Sequence, residues 1–203
     1  PAFAAVRHQP RTLEQLRTNA DAAAAIPPKR KLRIMIVPGH EPNFGGAGYG
    51  RLKERDMVVE LGKDLKRFLD ADGRYETRLS RNEKAWDPDL AAYFAAHWGE
   101  LDSWRGEVRD DFDALVASGK VKRPVVYIDH NKAPNDPAMR LYGITKWSNE
   151  HDIDLMVHLH FDGAAAGRTG FTVYVPSPEY FNGPTTRPIA EKVKARLAAF
   201  DPV

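Results

Sequence analysis

The sequence predicts an α/β fold: a mainly parallel central sheet flanked by helices, with a helical insertion and an N-terminal helical appendage. Three observations lead there. Leu32–Val37 is a nearly continuous apolar run, as expected of a strand covered on both faces. Ile153–His160 is a second such run. Strand-like and helix-like segments alternate through most of the chain, the pattern of a layered α/β sheet.

The elements follow in order. Thr12 to about Ala25 is rich in Ala, Leu, Glu and Gln and predicts a helix, ended by Pro27-Pro28. Residues 1–31 are taken as an appendage and residues 32–203 as the main domain. After the first strand, Asn43–Gly50 is a glycine-rich turn. It lacks both a Gly-Lys-Ser/Thr ending and GxGxxG spacing, so it is expected to be a flexible loop near a site and not a nucleotide loop. From Lys53 to Leu69, Met57, Leu61, Leu65, Phe68 and Leu69 recur at helical spacing. Tyr75–Leu79 is a short strand. Residues 82–136 form an irregular insertion with helical pieces at Asp89–Trp98 and Leu101–Ala117 and a strand at Val125–Ile128. Asn135-Asp136-Pro137 is a helix start, with a capping residue ahead of proline, and that helix runs to about His151. Phe171–Val175 alternates as a further strand, and Arg187–Phe200 is a final amphipathic helix.

Composition narrows the function classes. The 203 residues suffice for one well-buried domain and not for two large ones. Thirty basic against 28 acidic residues leave a net charge of +2 with no Lys/Arg block, which gives nucleic-acid binding little support. No apolar run approaches the roughly 18–20 residues of a membrane span. The absence of cysteine removes thiolate ligands and nucleophiles, leaving His, Asp and Glu for any metal. It is compatible with export. No signal-peptide pattern follows Pro1, as expected if a targeting segment lies upstream and is removed.

Of seven histidines, His40 and His160 stand apart, because both end hydrophobic strands beside turn residues. The run Ile34–Val37 stops at Pro38-Gly39-His40, and open α/β sheets bind ligands at the carboxyl ends of their strands. If the two strands are neighbours, both imidazoles reach one rim, and Glu54 supplies an oxygen; two imidazoles, a carboxylate and an open position make a catalytic zinc site. The plainer reading of Glu54 is an N-terminal helix charge favoured by the dipole. His158 and His160 share a strand face, so spacing alone does not say which one binds metal. Asp162 and Asp154 are candidate orienting partners for these imidazoles.

Several motifs in order resemble one family. Val37-Pro38-Gly39-His40, Gly45-Gly46-Ala47-Gly48 and Leu52-Lys53-Glu54-Arg55-Asp56 are similar to the opening of the type-3, zinc-dependent N-acetylmuramoyl-L-alanine amidases, bacterial cell-wall hydrolases. The likeness continues with Leu79-Ser80-Arg81 after the second strand and with Arg140 and Asn149 in the helix before the third motif. It ends with Val157–Asp162 and Gly170–Tyr174. The resemblance implies one Zn2+ held by His40, Glu54 and His160, with His158 as a near neighbour, and a mainly parallel sheet. It implies peptidoglycan as substrate, hydrolysis of the amide between N-acetylmuramic acid and L-alanine, and an extracytoplasmic location. Arg140 is a candidate for a stem-peptide carboxylate, with a structural ion pair as its plainer role. Asn149 and His130 are further candidates near the substrate.

Two departures qualify the likeness. The stretch between Arg81 and Arg140 is far longer than the family's connection, and reads as a lid, a regulatory or recognition insert, or a packed helical decoration. The family's catalytic glutamate lies on a strand beyond the helix matching Arg187–Phe200, so its counterpart is expected beyond Val203; Glu179 and Glu191 lie too early. The chain is therefore taken as a fragment, the alternative being a zinc-binding relative without ordinary catalysis. Rival functions are a non-catalytic zinc-containing peptidoglycan-binding or regulatory module, or another zinc amidohydrolase or carboxypeptidase.

Overall fold

The computed structural model describes residues 12–27, 29–123, 135–161, 170–176 and 182–199. The first apolar run becomes β1 (Leu32–Pro38), whose residues Ile34–Val37 are all buried. It is the middle of a three-stranded parallel sheet, flanked by β4 (Tyr75–Leu79) and β5 (Leu155–Leu159) in the order β4-β1-β5. Ile36 pairs with Leu79 on one side, and Pro38 with Leu159 on the other. Both histidine-bearing strand ends therefore emerge on the same edge. A short antiparallel pair, β2 (Gly48–Tyr49) and β3 (Leu52–Lys53), lies within the glycine-rich segment and leads directly into the next helix.

That helix, α2 (Glu54–Asp70), packs on one face of the sheet. Its buried line is Glu54, Val58 and Gly62, at intervals of four, together with Val59. The apolar positions that signalled the helix lie elsewhere: Met57, Leu61 and Phe68 are exposed, Phe68 by 76%. Close approach decides the phase, since a Cβ at Gly62 would stand 2.9 Å from Leu79 and 3.3 Å from Pro38. Only a face of small and β-branched residues fits so near the strands. At the far end, Asp70 accepts from the Thr77 amide (3.1 Å) and hydroxyl (2.7 Å), fastening α2 to β4.

The opposite face is covered by α3 (Pro88–Ala117) and α4 (Asn135–Glu150). Met35 and Val37 of β1 join Leu90, Tyr93, Phe94, Leu101, Met139, Ile144 and Trp147 in one buried cluster, with Trp86 and Trp98 packed against it. Each such large apolar side chain removed from water contributes about 1.5–3 kcal/mol. The helical part of the insertion thus supplies four of the nine residues of this cluster. The two expected helical pieces form one helix bent at His97, whose φ of −119° and ψ of 16° are not helical. Asp87 caps it, accepting from the Asp89 and Leu90 amides, and Arg78 of β4 holds the same carboxylate. The expected strand Val125–Ile128 lies outside the described residues.

The N-terminal helix α1 (Leu13–Ala24) begins with a reciprocal capping box between Thr12 and Gln15. It is tied to the sheet by Asp154, which sits just before β5 at the end remote from the two histidines. Asp154 accepts from Asn19 (2.6 Å), from both terminal nitrogens of Arg30 (3.1 and 2.7 Å) and from the Arg33 amide (3.0 Å). It is therefore an anchor for the N-terminal segment, not a partner of His158 or His160. The last helix, α5, spans Gly183–Ala198. Phe171–Val175 forms no strand: residues 170–176 join no ladder, and Phe171 and Tyr174 are exposed. Alternation favours a half-buried strand only where a sheet edge receives it. Among the described residues no helix is long and apolar enough to cross a membrane.

Removing the Asp154 carboxylate leaves Arg30 without this partner and frees one backbone donor. Asp154→Ala is expected to cost about 2–4 kcal/mol, measured by urea unfolding; a loss below about 1 kcal/mol would show the anchor to be incidental.

Candidate metal centre

The site forms where β1 and β5 end beside the start of α2. His40 follows β1 with φ of 67°, in the left-handed region that a β-carbon disfavours. Such strain persists where surrounding structure enforces it, and it often marks a functional position. The glycine-rich segment roofs the ring: a Cβ at Gly45 would lie 3.1 Å from His40 Nδ1, and one at Gly46 3.1 Å from its Cδ2. Both glycines have φ of 86°. The segment expected to be a loop near the site is thus packed directly on a candidate ligand.

Glu54 opens α2 and is buried, not a solvated helix-end charge. Its Oε2 accepts from the Ala47 amide (2.9 Å), and its Oε1 from the Phe161 amide (2.9 Å). Burial pushes its pKa up, but the Ala47 amide, His40 and the Phe161 amide together outweigh burial and hold the carboxyl below its ordinary range. Glu54 is therefore an anion at neutral pH, fixed at both oxygens.

Oε1 of Glu54 lies 2.9 Å from His40 Nε2 and 3.1 Å from His160 Nδ1. The two rings are edge-to-face, with centroids 4.8 Å apart. The His40 contact is one of proximity: Nε2 is buried, and no hydrogen bond of acceptable geometry reaches it among the described residues. The three residues offer ligand atoms all within 4.8 Å of one another and can hold a metal ion. Tetrahedral bonds of about 2.1 Å would set donors roughly 3.4 Å apart, which the two oxygen–nitrogen spacings of 2.9 and 3.1 Å approach. His160 stays partly open to solvent, which leaves a side for a further ligand.

Gly39 makes this convergence possible. The His160 ring crosses directly over it, so that a Cβ there would collide with Cε1 and stand only 2.6 Å from both ring nitrogens. The Gly39 amide donates to the Leu159 carbonyl (2.8 Å), locking the two strand ends together.

The other expected site residues separate. His158 lies two residues before His160, in register with Val37. Desolvation first, and then the nearby His160, lower its pKa to about 4. Arg140 is paired with Glu41 (3.1 Å), the residue after His40, and its guanidinium lies 5.4 Å from the centroid of the Trp98 ring. Asn149 is half-buried in the last turn of α4, and among the described residues no hydrogen bond links it to the three candidate ligands. Asp162 and His130 lie outside the described residues. Sequence reasoning missed the amide donors of Ala47 and Phe161 and the role of Glu41; backbone donors leave no signature in residue type.

Comparison with protein-family models, with curated proteins and with solved structures returned no match.

Gly39→Ala is expected to push the His160 ring aside and weaken divalent-metal binding by at least about 10-fold, read by titration of metal-free protein with Zn2+. Unchanged affinity would show that the close approach is not required.

Proposed function

We propose that this chain acts in zinc-dependent peptidoglycan hydrolysis, cleaving the amide between N-acetylmuramic acid and L-alanine. The observation that supports this is the convergence of His40 Nε2, His160 Nδ1 and Glu54 Oε1 at the carboxyl edge of a parallel sheet. The motifs Pro38-Gly39-His40, Glu54 and His158-Leu159-His160, in that order, supply the resemblance that names the substrate. Two imidazoles and a carboxylate without thiolate suit Zn2+, with a position left open for water and substrate.

His40, Glu54 and His160 would hold the ion, which when bound supplies Lewis acidity toward the amide carbonyl and a water of pKa near about 7. Glu54, committed to the ion and held by the Ala47 and Phe161 amides, would not also serve as the base. A separate carboxylate must take the water's proton and deliver one to the leaving alanine nitrogen; the resemblance assigns this to a glutamate on a strand after α5. Arg140 is engaged by Glu41, and would have to leave it to receive a stem-peptide carboxylate. The substrate implies an extracytoplasmic location.

Elemental analysis of the purified protein is expected to find zinc near 1:1, lost in His40→Ala and in His160→Ala with the fold retained by circular dichroism. Zinc retained in either variant, or absent from folded wild type, would overturn the ligand assignment. Release of new alanine amino termini from purified peptidoglycan separates amidase action from other zinc hydrolysis and from mere binding.

A further inference from the structure

Arg81 is the largest of the fully buried side chains, only 1% exposed, and its contacts are directed at the site from behind. Its Nε donates to the Pro38 carbonyl (3.2 Å), and its Nη1 to the Asn82 carbonyl (3.1 Å). Its Nη2 donates to the Gly39 carbonyl and to the Arg55 carbonyl (2.9 Å). Gly39 immediately precedes His40, and Arg55 immediately follows Glu54. One guanidinium thus spans the two backbone segments that carry two of the three ligands.

The root of this side chain is equally fixed. Ser80 N donates to the Ile36 carbonyl (2.9 Å), continuing the β4–β1 ladder, and Asp87 N donates to the Ser80 carbonyl (2.9 Å). Arg81 itself bridges to Trp86. Burial lowers its pKa to about 10, against the opposing charges of Glu41, Asp56 and Glu83, so it remains a cation at neutral pH. A buried cation that spends its donors on main-chain carbonyls is costly unless the geometry it enforces matters. Here the enforced quantity is the position of the Gly39–His40 peptide relative to the first turn of α2, and hence the approach of His40 Nε2 to Glu54 Oε1.

We infer that Arg81 is a positioning residue of the metal centre, setting the His40–Glu54 spacing by clamping the Gly39 and Arg55 carbonyls to one planar group. This rests on the reading of His40, Glu54 and His160 as metal ligands. Lysine keeps the charge but offers a single compact ammonium, which cannot reproduce a planar fork across separate carbonyls.

The experiment compares Arg81→Lys with Gly143→Ala, a control in the α3–α4 interface. A Cβ at Gly143 would stand 2.7 Å from the Phe94 ring, which is expected to lower stability by overpacking without touching the site. Three readouts are taken: thermal midpoint, Zn2+ affinity by chelator competition, and the ring NMR signals of His40 and His160 in metal-free protein. Arg81→Lys is expected to bind Zn2+ about 10–100-fold more weakly than wild type, with its metal-free His40 ring signals moved toward those of free imidazole. Gly143→Ala is expected to lose thermal stability while keeping wild-type affinity and ring signals. Wild-type affinity and unmoved ring signals in Arg81→Lys would overturn the inference, as would equal losses of affinity in both variants. If wild type binds no Zn2+, the metal-centre reading fails, and the ring signals still decide whether Arg81 sets the His40 position. Should the Arg81→Lys variant not fold, Arg81→Gln, which keeps one donor arm, takes its place in the same comparison.

Discussion

The peptide unit of Gly39 is held from two directions, and the site depends on both. Its amide is bonded to Leu159 of β5, and its carbonyl to Arg81 beyond β4. The missing side chain leaves room for the His160 ring to lie across it. Three strands that are neighbours in the sheet are thereby joined at one point just beyond their ends. Parallel strands deliver their carboxyl ends to one edge; the convergence of His40 and His160 then follows from register, with no long loop required.

Buried charges mark the junctions of this fold. Glu54 joins the glycine-rich segment, α2 and the exit of β5 through the Ala47 and Phe161 amides. Arg81 joins β1, α2 and the segment after β4 through carbonyls alone. Asp154 joins α1, the entry to β1 and the entry to β5. Charge removed from water is expensive, and each group offsets that cost with directional partners from distant parts of the chain. Two of these junctions lie at the carboxyl edge beside the candidate ligands and the third at the opposite end. The sheet is thus pinned at both ends by polar contacts, while its middle is held by apolar burial.

The helical layer of α3 and α4 gives the sheet its second covered face. Gly143 brings α4 close to α3 at Phe94 and Leu101. On the rim of this interface Lys146 pairs with Glu100 and Glu150, and Tyr93 donates to Glu150 (2.7 Å). Trp147 receives the Arg78 guanidinium over its ring, 5.0 Å from the centroid, linking the layer back to β4. The same layer presents Arg140 to Glu41, so that α4 touches the residue next to a candidate ligand. The candidate metal edge is thus backed by core on both faces of the sheet, by α2 on one and by α4 on the other.

The sequence by itself determined the strands β1, β4 and β5 and most helices through local periodicity, and it set His40 and His160 apart as histidines at the ends of apolar runs. The choice of Glu54, and of His160 over His158, came from the family resemblance and not from spacing. The helical pieces Asp89–Trp98 and Leu101–Ala117 were legible separately, and the structure joins them in one helix bent at His97. Only tertiary structure decided which face of α2 is buried, since Gly62 fits against Leu79 where Leu61 or Phe68 cannot. It also left Phe171–Val175 without a strand, because no described neighbour pairs with it. The anchoring of Asp154 and the clamp of Arg81 were equally hidden. Their partners are backbone groups or residues far away in the chain, and every residue but proline carries the same amide and carbonyl. Periodicity reports what a segment prefers; which main-chain atoms a buried charge meets is fixed only when distant segments have packed.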